Sequence, residues 1–79
     1  MDYDANKIDE AVLALLSLNM FEENQTTRAW KSHNWDSMNR LHEKGYIANP
    51  KSKSKSVVVS PEGKARAQEL LSRLFGSGT

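Results

Sequence analysis

Leu41 to Gly63 reads LHEKGYIANPKSKSKSVVVSPEG, and the way this stretch folds decides how the remainder must be arranged. Leu41 closes an apolar spacing with Met38 and Trp35, and Gly45 can take the left-handed conformation that ends a helix without steric cost. A helix is therefore expected to stop at about Lys44. Tyr46 and Ile47 then begin a strand, the polar run from Asn49 to Ser56 supplies a turn, and the β-branched Val57, Val58 and Val59 form a return strand. The expected unit is a two-stranded ribbon with a lysine-studded tip. Ser60 can accept amide hydrogen bonds at a helix start, Pro61 suits the first helical position, and Glu62 favours the positive end of the helix dipole.

This succession of Leu41, Gly45-Tyr46-Ile47, a polar hairpin, Val57-Val58-Val59-Ser60 and Pro61-Glu62-Gly63 resembles the second half of a winged helix-turn-helix domain, over roughly residues 35 to 75. The whole chain is also similar to a short, uncharacterised bacterial family through Arg28-Ala29-Trp30-Lys31, Trp35-Asp36 and Leu41-His42-Glu43-Lys44-Gly45. That second likeness implies a fold and no activity. Together they imply an α+β, winged-helix-like fold in the order α, β or short α, α, β, β, α.

With 79 residues there is room for one domain spanning 1–79 and one modest core, so stability is marginal and a homodimer would help. There is no cysteine, so disulfide and thiolate chemistry are excluded. The longest nearly apolar run, Ala11 to Leu18, is far short of the ~20 residues of a membrane span. Asp2 and Asp4 make an acidic start, unlike the basic lead of a signal peptide. A soluble cytoplasmic protein is the expectation. The net charge of +1 is unevenly distributed. Residues 1 to 25 hold six acids against Lys7, giving −5, whereas residues 26 to 56 hold seven bases against Asp36 and Glu43, giving +5.

Asp4 to Met20 reads as the first helix, capped by Asp4 or Asn6. Ile8, Val12, Leu15 and Leu16 make one stripe, but Leu13, Leu18 and Met20 lie off it. Such a helix is buried on more than one side, either by the final helix or by a second copy of the chain. The candidate dimer residues are Leu13, Leu16, Met20, Leu71, Leu74 and Phe75. Glu22 to Gln25 is expected as a polar loop. Thr26 to His33 reads as a short strand that can pair with the valine strand, with the first helix of a helix-turn-helix as the alternative.

Asn34 or Ser32 can cap a helix from about Trp35 to Lys44, with Trp35, Met38, Leu41 and His42 on its inner face and Asp36, Arg40 and Glu43 pointing outward. Asp36 and Arg40 are spaced to pair at i,i+4. Only Ser37, Asn39, Arg40 and Lys44 of this helix suit base edges, which counts against a simple recognition helix. The final helix, Pro61 to about Phe75, carries Ala67, Leu70, Leu71, Leu74 and Phe75 as its apolar stripe; Gly76 ends it and residues 76–79 form a flexible tail.

For function, Lys51, Lys53 and Lys55 alternate along the expected ribbon and would set a row of charge against phosphates; the plainer reading is a solubilising turn. Arg28, Lys31, Arg40 and Lys44 are the further phosphate candidates, and Ser37 and Asn39 the polar readers. Trp35 belongs to the expected core, whereas Trp30, between Arg28 and Lys31, suits either stacking or an interface. His33 and His42 lack any metal-ligand spacing, and each reads as a partly buried, hydrogen-bonded histidine. With no nucleophile pair, phosphate loop or framed carboxylates, neither enzyme activity nor a cofactor is expected. Two functions remain: DNA binding of the transcription-regulator type, and a protein-interaction module on the same scaffold.

Overall fold

A computed structural model describes residues 3–32 and 34–76. Helix α1 (Ala5–Ser17) starts at Asp4, whose carboxylate accepts from the amides of Asn6 and Lys7. It is shorter than its apolar run suggests. Leu18 and Asn19 turn the chain, and Met20 opens strand β1 (Met20–Glu23). Asn24 and Gln25 both have positive φ, 53° and 67°, the two-residue geometry that matches strand twist. Strand β2 (Thr26–Trp30) returns with Glu23 opposite Thr26 and Met20 opposite Ala29. The expected polar loop Glu22 to Gln25 is thus half strand and half tight turn. It escapes detection because Gln25 stands where the usual glycine signal would be.

Thr26–Trp30 is extended, as the Thr, Thr and Trp preferences indicate, and no helix lies between β2 and Trp35 among the described residues. Helix α2 (Trp35–Glu43) is capped by Asn34, whose Oδ1 accepts from the Ser37 amide; Ser32 accepts instead from the amide of Asn34. Gly45, at φ 81°, ends the helical turn as expected.

The anticipated ribbon is reduced to one bridge, Ile47 to Val59, with the Ala48 amide donating to the Val58 carbonyl. The valine segment finds its main partner elsewhere. Strand β3 (Ser56–Val58) lies antiparallel to β2, Ala29 opposite Val57, giving a sheet in the order β1-β2-β3. Asn49 holds the Lys51 amide in an Asx turn and Pro50 is buried, so residues 49–55 bend rather than extend.

Helix α3 (Pro61–Phe75) begins at Ser60, whose Oγ accepts from the Gly63 amide and donates to the Gly45 carbonyl. It ends at Gly76 in extended rather than left-handed backbone. Residues 77–79 of the expected flexible tail lie outside the described residues. Helix α1 packs chiefly against α3 and also against α2, so its second buried side is supplied within the chain. Leu13 and Leu16 are in the core beside Met38, Leu41, Val57 and Leu70, which removes both from any dimer surface. The sheet turns Ala29 and Val57 toward this core and leaves Trp30 facing out.

Candidate functional site

Strand alternation sets the first feature of the candidate site. Burying Ala29 exposes Trp30, 52% of whose surface is open, and Phe21 on β1 packs its ring 5.2 Å from the indole. Trp35 stands 54% exposed, contrary to its expected place in the core. It is the first residue of α2, one turn before Met38, and helical side chains lean toward the N-terminus. Its ring therefore overhangs the end of the core instead of entering it. The two indoles line one open groove of ≈ 500 Å³ with Lys31, Ser52, Lys53, Ser54 and Lys55. Beyond Trp35 a second groove, ≈ 370 Å³, is lined by Asn39, Pro50 and Lys51 among others.

The loop bearing the lysines is held against β2 by side chains. Arg28 donates through Nε to Ser56 Oγ at 2.8 Å and through a terminal nitrogen to the Ser56 carbonyl at 3.0 Å and Ser54 Oγ at 3.3 Å. Lys31 Nζ donates to the Ser52 carbonyl at 2.7 Å, and the Lys31 amide to the Lys55 carbonyl at 3.0 Å. Arg28 and Lys31 are braces for the loop in this arrangement. Lys51, Lys53 and Lys55 are exposed, and among the described residues they take part in no salt bridge, whereas Arg40, Lys44, Lys64, Arg66 and Arg73 all do.

The remaining candidates on α2 separate from this face. Arg40 does not pair with Asp36; its Nε and a terminal nitrogen reach Asp9 on α1 at 2.6 and 2.9 Å, with Lys44 at 3.9 Å. Asp9 is fully buried. Burial pushes its carboxyl up, but the hydrogen bonds from Arg40 and Ser37, with the charges of Arg40 and Lys44, outweigh that and hold it below the usual carboxylate range. The same carboxylate raises Arg40 further. Ser37 is wholly buried in this cluster and has no access to a base edge. Asn39 alone of the four polar candidates on α2 borders the tryptophan grooves. Asp36, His42 and Glu43 are exposed on the helix, and the Nδ1 of His42 lies 3.1 Å from the Ile47 carbonyl. His42 is thus outside the core; His33 lies outside the described residues.

Of the expected dimer residues, Met20 and Leu71 pack partly against the core, while Leu74 and Phe75 are 45% and 53% exposed. The buried part of the α3 stripe ends at Leu71. The sequence reading missed the serines at 52, 54 and 56 as loop anchors. Their alternation with lysine was visible, but their partners, Arg28 on β2 and Lys31 just beyond it, were not. No described helix is long and apolar enough to cross a membrane.

Residues 4–77 match the family described as Domain of unknown function (DUF6429). Over 75 residues the chain is 49% identical to the uncharacterized protein y4hR of Sinorhizobium fredii, covering 95% of this chain and 97% of that protein. No solved structure matches.

Proposed function

We propose that this chain, which belongs to the DUF6429 family of domains of unknown function, binds nucleic acid through its phosphates, using Lys51, Lys53 and Lys55 on the 49–55 loop. The observation that carries this reading is the distribution of unneutralised charge. Three exposed lysines that take part in no salt bridge among the described residues, Lys51, Lys53 and Lys55, project from one braced loop, with Lys31, bonded only to neutral oxygens of that loop, and two half-exposed indoles beside them. A lysine row stabilises a phosphate backbone by releasing condensed counterions, and the adjoining aromatic surface suits a base more than a solubilising turn requires.

The frame is winged-helix-like in this proposal, with the 49–55 loop as the wing and α2 beside it. Helix α2 does not enter a groove to read bases, because it exposes Asp36 and Glu43 and turns Ser37 and Arg40 toward Asp9. A transcription-regulator-type domain of this build grips backbone and reads little sequence. A mobility-shift titration at low salt tests it. Replacing all three lysines with alanine is expected to weaken binding alike on every sequence and to flatten the log–log salt slope by about 2 to 3, three phosphates at roughly 0.7 to 0.9 each. No shift of DNA or RNA by the unmodified protein ends the proposal.

A second surface favours self-association. Leu15, Leu18, Leu74 and Phe75 are 48%, 66%, 45% and 53% exposed on α1, its end and α3, and a homodimer would cover them. Sedimentation at micromolar concentration giving only an 8.9 kDa species excludes that dimer.

A further inference from the structure

We infer that the nucleic acid taken by this face is single-stranded, its bases stacking on Trp30 and Trp35 while the 51–55 lysines follow its backbone. The inference rests on the nucleic-acid reading above and adds the form of the ligand. Its basis is that the apolar and the cationic parts of the site are one surface. Both indoles and Lys53 and Lys55 line the same groove, and Trp35 continues into the neighbouring one with Lys51.

A duplex buries the faces of its bases against one another, so two indoles laid on its exterior would meet sugar and phosphate and gain no stacking. A single strand offers every base as a π-face at the spacing of its own phosphates. Trp30 is also pre-oriented. Phe21 packs on the indole at 5.2 Å with 36° between the planes, so less rotamer freedom is lost when a base settles on it. Trp35 is held at the first turn of α2 by the Asn34 cap. The acids on α2 point the same way. Asp36 and Glu43 are exposed and would oppose the two phosphate walls of a major groove, whereas the groove that holds both indoles with Lys31, Lys53 and Lys55 is lined by no acid among the described residues; Glu43 borders only the Lys51 end.

The test uses the full chain, a fluorescently labelled thymidine oligonucleotide, its uridine counterpart and a DNA duplex of matched length, read by anisotropy at low salt. Intrinsic tryptophan emission is followed in parallel. The expected result is binding of the single strands at least about tenfold tighter than the duplex, with quenching of the indole emission on saturation. Comparison of thymidine with uridine strands tells DNA from RNA as the source. Trp30→Ala and Trp35→Ala are each expected to weaken single-strand binding by about 5- to 100-fold, a larger loss than either shows on the duplex. Trp35→Ala removes a ring outside the core and keeps the test open if loss of Trp30 from the sheet impairs folding. Duplex binding as tight as single-strand binding, with no loss in Trp35→Ala, overturns this inference and leaves phosphate binding intact. No binding of any of the three probes overturns both.

Discussion

Replacing Gly63 with alanine sets two well-known effects against each other, and the structure decides the sign. Alanine in a helix is favoured over glycine by up to about 1 kcal/mol, less in a first turn. On propensity alone, Gly63→Ala stabilises. At this position, however, a Cβ would fall on the Tyr46 carbonyl oxygen, with the Tyr46 carbonyl carbon at 2.9 Å and its Cα at 3.0 Å. The obstacle is backbone, which cannot rotate aside. That carbonyl also accepts from the Ser60 amide at 3.0 Å and the Ser60 hydroxyl at 3.2 Å, so moving the start of α3 away strains both bonds at about 1 kcal/mol each. Overpacking adds roughly 1–3 kcal/mol. The net expectation is a loss of about 2–4 kcal/mol after the propensity gain is subtracted, large against a total of about 4–12 kcal/mol for a chain of this size. Urea unfolding followed by far-ultraviolet circular dichroism should give a lower midpoint at unchanged slope, and the thermal midpoint should fall by about 10–25 °C. Gly45→Ala is the control. It sits at φ 81° in open space and should cost only the left-handed penalty of about 1 kcal/mol. A Gly63→Ala protein as stable as the parent, or more so, refutes the docking of α3 on Tyr46.

Asp9 gives the pH dependence. Its folded-state carboxyl lies below the usual range, so its contribution to stability is present above the unfolded value of about 3.9 and is lost as pH falls through and below it; urea midpoints measured from neutral pH to pH ~3 check this. In Arg40→Ala the bonds that outweigh burial are removed, so this acid-side loss should flatten, and an unchanged slope would contradict the Asp9–Arg40 pairing. Gln25→Gly relieves a side-chain-bearing residue held at φ 67° and should raise the thermal midpoint by a few degrees, about 0.5–1 kcal/mol; a fall would mean that the turn is not of the two-residue type.

The helix starts were legible because each has a local cause: Asp4, Asn34 and Ser60 cap amides two or three residues ahead. The same holds for Gly45 and for the extended character of Thr26–Trp30 and the valines. What the sequence hid depends on partners distant along the chain. Asp9 reads as one more acid in the early turns of a helix, and nothing local says that Arg40, 31 residues away, will pair with it. Trp35 fits a 3.6-residue stripe, but periodicity cannot say where along a helix the core stops. Ile47 and Val59 form a bridge, yet the ribbon stops there because the Asn49 turn and Pro50, which has no amide proton to donate, bend the chain away from the valines.

The placement of Asp9 also changes the charge available to a ligand. The middle of the chain carries seven bases between residues 26 and 56, and a count of charges alone would let all of them meet phosphates. In the folded protein Arg40 and Lys44 are directed to Asp9, whereas Arg28 and Lys31 hold neutral oxygens of the loop and keep their charge, with Lys51, Lys53 and Lys55 exposed for the backbone of a bound strand. Lys31 lines the same grooves and its partners are neutral oxygens, so binding should release the counterions of three to four phosphates, a log–log salt slope of about −2 to −3 on a single strand at roughly 0.7 per phosphate. Salt titration of the unmodified protein by anisotropy measures this directly. A slope near −5 would mean that Arg40 and Lys44 also leave Asp9 on binding, which the buried carboxylate opposes because it would be left without its guanidinium.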